Sequence, residues 1–407
     1  MPHNDTTKRL FLITGYYPNS YKPWIDTQVS GMIDRGVDVT IFALGGWMST
    51  VNELVNEYRL VDITNYLPAT TKDIRHSLSH MIRVVFRSPA QAVGRVRQAS
   101  LERHRLSSRP AVATRALLLP KSQPDACLVH DLGLAQKFTF LRAIYPDSRI
   151  VISYNGGEVA GNTSYGDCKD VFSNVDQVIC LSEYAREEVI AKGCPRDLTC
   201  VLPLGFDTNL FRPREPRDYL PNGKLRLVSV GRLSPEKGLL TVLKALKILK
   251  DQGLTSLSYR VVGTGIAEKS LKHSAKVLGV DHLISFLGEL PGHAVPQVLE
   301  DSDVLVLPSL RTETWAETQA AVVQEALLMK CVTVTTPTGA LPETNAPAMH
   351  RFFFDPGDAK ALARVLGSVA AMNPGRFREL GEQGRTFALE RYDGVKTVGK
   401  LYDKLFL

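Results

Sequence analysis

The stretch Val230–Gly238, VGRLSPEKG, joins two cations to helix-start chemistry. An apolar run ends at Val230, and the spacing predicts a turn and then a helix from Ser234–Pro235. Serine caps a helix N-terminus, and proline fits the first turn. Free N–H groups and the dipole make such a terminus attractive to anions. With Arg232 and Lys237 beside it, the stretch reads as a diphosphate site; the alternative is an ordinary strand–turn–helix with surface charges. A second stretch, Glu313–Glu325 (ETWAETQAAVVQE), follows the apolar run Val304–Leu307. A helix starting near Thr318 would put Glu317 at its mouth and Glu325 two turns in, among Ala321, Val322, Val323, Ala326 and Leu327. A carboxylate on an apolar helix costs free energy unless it is partnered. A sugar or ribose diol would supply two hydroxyl donors, and a buried Arg or Lys is the alternative.

These residues need elements to hold them. Strand-like runs at Arg9–Thr14, Val37–Leu44, Ala126–His130, Arg149–Tyr154, Gln177–Leu181 and Thr199–Pro203 are separated by helical patterns such as Ser182–Lys192. The Pro- and charge-rich stretch Pro213–Gly223 (PREPRDYLPNG) reads as a linker. A second series follows: Leu225–Val230, a helix over Leu239–Gln252, then Tyr259–Val262, Leu283–Leu287, Val304–Leu307 and Val332–Thr335. Strand–helix alternation of this kind predicts parallel sheets covered on both faces. The 407 residues suit two such units, residues 1–212 and 224–390 joined by the linker 213–223.

The pair VGRLSPEKG and Glu317-x7-Glu325 resembles the retaining glycosyltransferases of family 4. Further motifs match in order: Pro203–Phe211 (PLGFDTNLF), Gly263-Thr264-Gly265, Phe286-Leu287-Gly288, and Phe354–Asp358 followed by Ala361–Leu366. The resemblance implies an α/β chain of the GT-B fold, two Rossmann-like domains facing each other across a cleft. It also implies that the C-terminal helix 391–407 crosses back to complete the first domain. Arg232 and Lys237 match the pair that neutralises the donor diphosphate, Glu325 the ribose-binding residue, and Glu317 the residue that holds sugar hydroxyls. His130, after a first-domain strand, matches a histidine near acceptor and sugar. By the same resemblance His130, Glu317, Arg232 and Lys237 are catalytic. Donor binding extends to Gly15, Gly231, Gly263, Leu287, Thr318, Gln319, Ala320 and Ala321.

The chain departs from the family pattern in places. Thr318 and Ala320 stand where glycines are usual between the two glutamates. The family's His-Gly-x-Asp appears as Asn155-Gly156-Gly157-Glu158, and its Gly-Gly-x-Pro-Glu as Gly339-Ala340-Leu341-Pro342-Glu343. Gly263-Thr264-Gly265 is not a dinucleotide fingerprint, because Glu268 occupies its third glycine position. The resemblance implies a nucleoside-diphosphate sugar as donor substrate, no cofactor and no metal, with the cations and a helix N-terminus doing a divalent ion's electrostatic work. An inactive homologue serving as a scaffold or partner-binding subunit is the alternative that the departures keep open; a sugar-nucleotide epimerase fits the glutamate pair less well.

The formal charge of +7 is concentrated in one segment. Residues 72–121 hold eleven Lys or Arg against two acids, a local net of +9. Ile74, Leu78, Met81, Ile82, Val85 and Phe86 fall at helical spacing, and a second basic helix is expected over Ala90–Leu106. No nucleic-acid module accompanies these cations. A basic amphipathic helix suits an anionic membrane surface, and its alternative is a solvated helix pair packed on its own domain. No apolar run reaches the ~18 residues needed to span a bilayer. The six cysteines lack zinc or CxxC spacing. The expectation is a cytoplasmic enzyme, peripheral on the inner membrane face, acting on a lipid-linked or glycan acceptor.

Overall fold

The computed structural model describes residues 7–19, 22–46, 53–77, 93–97, 109–156, 168–313 and 315–407. The first unit holds β1 (Arg9–Thr14), β2 (Asp38–Ala43), β3 (Thr64–Tyr66), β4 (Ala126–His130), β5 (Arg149–Tyr154), β6 (Gln177–Cys180) and β7 (Thr199–Val201). The second holds β8 (Leu225–Val230), β9 (Leu257–Val262), β10 (Ile284–Gly288), β11 (Val304–Leu307) and β12 (Val332–Thr335). Both sheets are parallel, in the orders β3-β2-β1-β4-β5-β6-β7 and β10-β9-β8-β11-β12. The order reverses beside β1 in one sheet and beside β8 in the other. A parallel sheet with helices on both faces requires strands that are apolar throughout. The central strands comply, with every residue of β4, β11 and β12 buried.

Helix Leu239–Asp251 shows how the faces are covered. Leu239, Val242, Leu243, Leu246 and Leu249 recur at helical spacing and are buried, and the helix packs against Ala359–Ala370. Each such side chain contributes roughly 1.5–3 kcal/mol on burial. The linker is strapped to the second unit rather than loose. Arg217 is buried and donates to the carbonyls of Leu299, Ser302 and Met329, while the Tyr219 hydroxyl donates to Lys330 O at 3.0 Å.

The chain returns to the first unit at Tyr392–Gly394, where Phe206 N donates to Tyr392 O at 2.8 Å and Gly394 N to Phe206 O at 2.9 Å. The last helix, Gly394–Phe406, then packs on helix Trp24–Ile33 and on β4 and β5.

Of the expected amphipathic helix over 74–86, the start lies in the 3₁₀ turn Thr71–Ser77, and of the expected basic helix over 90–106, residues 93–97 are helical; the rest of both, 78–92 and 98–106, lies outside the described residues. Two of its cations are turned inward. The Arg115 guanidinium is buried and donates to Pro68 O at 2.8 Å and Ala69 O at 2.6 Å. Arg95 donates to Ala116 O and to Pro120 O at the C-terminal end of helix Arg109–Leu118.

Candidate active site

A cleft of about 440 Å³ opens at the carboxyl ends of β8 and β9, with further walls from the loop between β11 and helix Ala321–Leu328. This is the reversal point of the second sheet, where open α/β sheets place their ligands. The loops that frame it are held by a close approach. Gly263 ends β9 with φ +123°, and a Cβ there would lie 1.9 Å from Gly231 O. Glycine lets the two strand-end loops touch, with Gly231 N donating to Val262 O at 3.0 Å and Leu233 N to Thr264 O at 2.8 Å.

The turn after β8 differs from expectation. Pro235–Lys237 forms a single 3₁₀ turn, and the α-helix begins only at Leu239, after Gly238 in the left-handed region at φ +67°. The Ser234 hydroxyl donates to Glu236 Oε1 at 2.5 Å instead of capping the turn. The helix N-terminus that opens on the cleft belongs to Ala321–Leu328, since Ala320, Ala321 and Val322 line it. That helix starts three residues later than the sequence suggests, because the preceding residues are bonded across the domain boundary. Ser182 Oγ donates to Thr318 O at 2.7 Å, and Leu204 N donates to Gln319 Oε1 at 2.9 Å. Glu325 consequently lies one turn into the helix rather than two.

Arg232 and Lys237 both line the cleft. Neither stands alone. Lys237 Nζ donates to Glu317 Oε1 at 2.7 Å and lies 4.9 Å from the centre of the Trp315 ring. Ser309 Oγ donates to the same carboxylate oxygen at 2.7 Å. Arg232 is half exposed and meets Glu236 at 3.4 Å. Glu317 is buried in the loop before the helix, and its charge is balanced by Lys237. Glu325 is different. Its carboxylate lines the cleft with no side-chain partner among the described residues, and burial raises its pKa from 4.5 to about 7.

Of the residues expected at the donor site, Gly231, Arg232, Lys237, Gly263, Glu317, Gln319, Ala320, Ala321 and Glu325 line one cleft. Four others do not line it. Gly15 precedes the lining residue Tyr16, and Leu287 is partly exposed on β10. Thr318 turns its hydroxyl onto Asn155 O at 2.5 Å. His130 is buried at the end of β4, with Nε2 3.1 Å from Gln28 Oε1 and its ring 5.1 Å from that of Trp24. Of the loop after β1, sequence reasoning named only Gly15 and missed Tyr16, Asn19, Lys22 and Pro23, which form the opposite wall. Its only signal was position, since this loop follows the strand at which the first sheet reverses its order. Ser309 and Trp315 were missed as well, because their role depends on where Glu317 folds back.

Residues 212–387 match the family model described as glycosyl transferases group 1. Over that stretch the chain is similar to the group 1 glycosyltransferases. Among curated group relatives, it is 25% identical over 383 residues to the putative colanic acid biosynthesis glycosyltransferase WcaL of Escherichia coli, covering 91% of this chain and 92% of that one. It is 26% identical over 382 residues to the putative teichuronic acid biosynthesis glycosyltransferase TuaC of Bacillus subtilis, covering 88% of each. Among solved structures, HepE of Anabaena in complex with UDP superposes with a TM-score of 0.71 at 17% identity over 98% of this chain and 99% of that one. Sucrose-phosphate synthase of Thermosynechococcus elongatus superposes with a TM-score of 0.67 at 16% identity over 98% and 99%. The architecture is GT-B, two parallel-sheet α/β domains facing a cleft. In this glycosyltransferase the group 1 match spans β8 to β12 and every second-domain cleft residue from Val230 to Glu325.

Proposed function

We propose that this glycosyltransferase moves a sugar from a nucleoside-diphosphate sugar to an acceptor hydroxyl with retention of anomeric configuration, in the synthesis of an envelope or extracellular polysaccharide. The observation that carries the donor class is the convergence of Arg232, Lys237 and the N-terminus of Ala321–Leu328 on a cleft that also holds the unpartnered Glu325 carboxylate. An anion favours the first three, and a diol satisfies the last. HepE has been solved with UDP and with UDP-glucose, which supports a nucleotide-sugar donor here. The names of WcaL, the amylovoran glycosyltransferase AmsK of Erwinia amylovora, and TuaC support a polysaccharide product.

In the reaction proposed, the bond from the anomeric carbon to the diphosphate breaks and its electron pair leaves with the diphosphate. The acceptor oxygen bonds to that carbon, and its proton is released with the nucleoside diphosphate. Charge grows on the leaving oxygens, where preorganised cations contribute most. Lys237 gives up part of its hold on Glu317 to the diphosphate, and Glu317 turns its acceptor capacity to sugar hydroxyls. Glu325 accepts from the ribose hydroxyls. Tyr16, Asn19, Lys22 and Pro23 line the acceptor side of the cleft.

A panel of nucleotide sugars tests this reading. One donor is expected to be hydrolysed or transferred, to raise Tm, and to do so in excess EDTA, since Arg232 and Lys237 supply the positive charge. A need for Mg²⁺ or Mn²⁺ would overturn metal independence. No turnover and no thermal shift with any donor would leave the scaffold reading in its place. We further propose that the basic segment 72–121 rests on an anionic membrane near a lipid-linked acceptor. Among the described residues no helix is long and apolar enough to cross a membrane. Vesicles rich in phosphatidylglycerol should bind the protein at low salt and release it at high salt; failure to bind sinks the membrane proposal.

A further inference from the structure

Two of the chain's departures from the family pattern meet in space. Thr318 stands where a glycine is usual, and the Thr318 hydroxyl donates to the carbonyl of Asn155 at 2.5 Å. Asn155 directly follows β5 (Arg149–Tyr154) and begins the Asn155-Gly156-Gly157-Glu158 stretch, itself a departure. The fit depends on the next residue. Gly156 has φ +62°, and a Cβ there would lie 2.1 Å from Thr318 Cγ2. On its other side, Thr318 O accepts from Ser182 Oγ at 2.7 Å in a buried contact. The neighbouring Gln319 accepts from Leu204 N at 2.9 Å. A little further along, Glu343 accepts from the amides of Glu183 at 2.7 Å and Tyr184 at 3.2 Å, the first two residues of helix Glu183–Ala191. The residue immediately before this tether is Glu317, whose carboxylate is held by Lys237 and Ser309.

We propose that Thr318 is a positioning residue for sugar transfer: its bonds to Asn155 and Ser182 of the first domain set the backbone of Glu317, so that Glu317 meets the donor sugar only when the domains are closed. This rests on the reading of Glu317 as a sugar-binding residue. The physical reason is economy of reach. A glycine at 318 would keep the backbone bond from Ser182 but lose the side-chain bond to Asn155. A β-branched residue has few rotamers, and one bonded across the boundary transmits the first domain's position directly to its neighbour. Arg232, Lys237 and Glu325 make no side-chain bond to the first domain among the described residues, so losing the Thr318 hydroxyl is expected to disturb the sugar's contact with Glu317 more than the nucleoside diphosphate.

Thr318→Val and Thr318→Ser separate the tether from the packing. Valine keeps the shape and removes the hydroxyl, leaving Asn155 O without its donor. Serine keeps the hydroxyl. With the donor found by the panel, Thr318→Val is expected to lower kcat roughly 10-fold while the Kd for UDP and GDP stays unchanged, and Thr318→Ser to restore kcat. Hydrogen exchange gives a readout that does not depend on turnover. The amides of Glu183, Tyr184 and Leu204 should exchange faster in Thr318→Val than in the wild type, while the β-strands of each sheet keep their protection. Unchanged exchange at those amides overturns the tether. Faster exchange with unchanged kcat overturns the positioning role. A wild type that turns over no donor defeats the glycosyl-transfer reading, and the positioning role with it; the exchange comparison still decides the tether.

Discussion

Lys237→Ala is expected to lower sugar transfer by on the order of 10²–10³-fold, the usual effect of removing one preorganised group that stabilises developing charge. The structure adds a second consequence. Lys237 is the cation on Glu317, a carboxylate whose side chain is only 6% exposed. Removing it leaves a buried charge whose remaining side-chain partner among the described residues is the Ser309 hydroxyl. Breaking a buried pair from one side destabilises by about 3–5 kcal/mol. Lys237→Ala should therefore also lower Tm, and adding Glu317→Gln should recover much of that stability without recovering transfer. Arg232 makes the useful contrast. Its side chain is 54% exposed and meets Glu236 at 3.4 Å, so Arg232→Ala should weaken nucleoside-diphosphate binding with little change in Tm. The checks are kcat with the chosen donor, Kd for UDP and GDP, and thermal unfolding. Wild-type kcat in Lys237→Ala would refute the diphosphate site.

Glu325 is expected to make the empty protein less stable as pH rises. Burial lifts its carboxyl from 4.5 to about 7 in the fold. A raised folded pKa means that the native state holds its proton where the unfolded state has lost it. Glu325 therefore favours folding below about 4.5, and that contribution fades as pH rises through about 7. The difference corresponds to at most about 3 kcal/mol at pH 8. Glu325→Gln should raise Tm at pH 8 and flatten the decline between pH 4.5 and 7. The same substitution should weaken donor binding, because two ribose hydroxyls prefer an ionised acceptor. For the wild type, UDP or GDP affinity should fall from pH 8 to pH 6, and this dependence should vanish in Glu325→Gln. A Tm at pH 8 that is unchanged or lowered by the substitution would show that Glu325 is not buried uncompensated. The group that would bind the donor is thus one that costs the empty fold stability, as functional groups often do.

Some of the fold was legible because it is periodic. Arg9–Thr14, Ala126–His130, Arg149–Tyr154, Leu225–Val230, Val304–Leu307 and Val332–Thr335 are strands with the bounds expected, since continuous apolar runs flanked by polar turns have few other uses. The edge strand Thr64–Tyr66 was not legible. It is three residues long, with Asn65 and Tyr66 exposed, and carries no apolar pattern. Its pairing with β2 comes from neighbours in space. Helix starts misled where the polar groups were committed elsewhere. Ser234 looks like a cap, yet its hydroxyl serves Glu236. Thr318 looks like the first residue of a helix, yet it is bound to Asn155 and Ser182, both more than a hundred positions away.

The sequence by itself determined the two α/β units, the parallel strands, and the residue types that gather at the second sheet's reversal point, because these follow from local periodicity and from charges placed beside strand ends. Only the tertiary structure decided which partner each of those groups has. It paired Lys237 with Glu317, buried Glu325 with no side-chain partner among the described residues, turned Arg95 and Arg115 onto backbone carbonyls, and set Tyr16, Asn19, Lys22 and Pro23 opposite the donor loops. The reason is physical. A charge near a strand end can be read from composition, but its partner is fixed by which distant loops the packed sheets bring within about 3 Å, and that distance is a property of the closed fold.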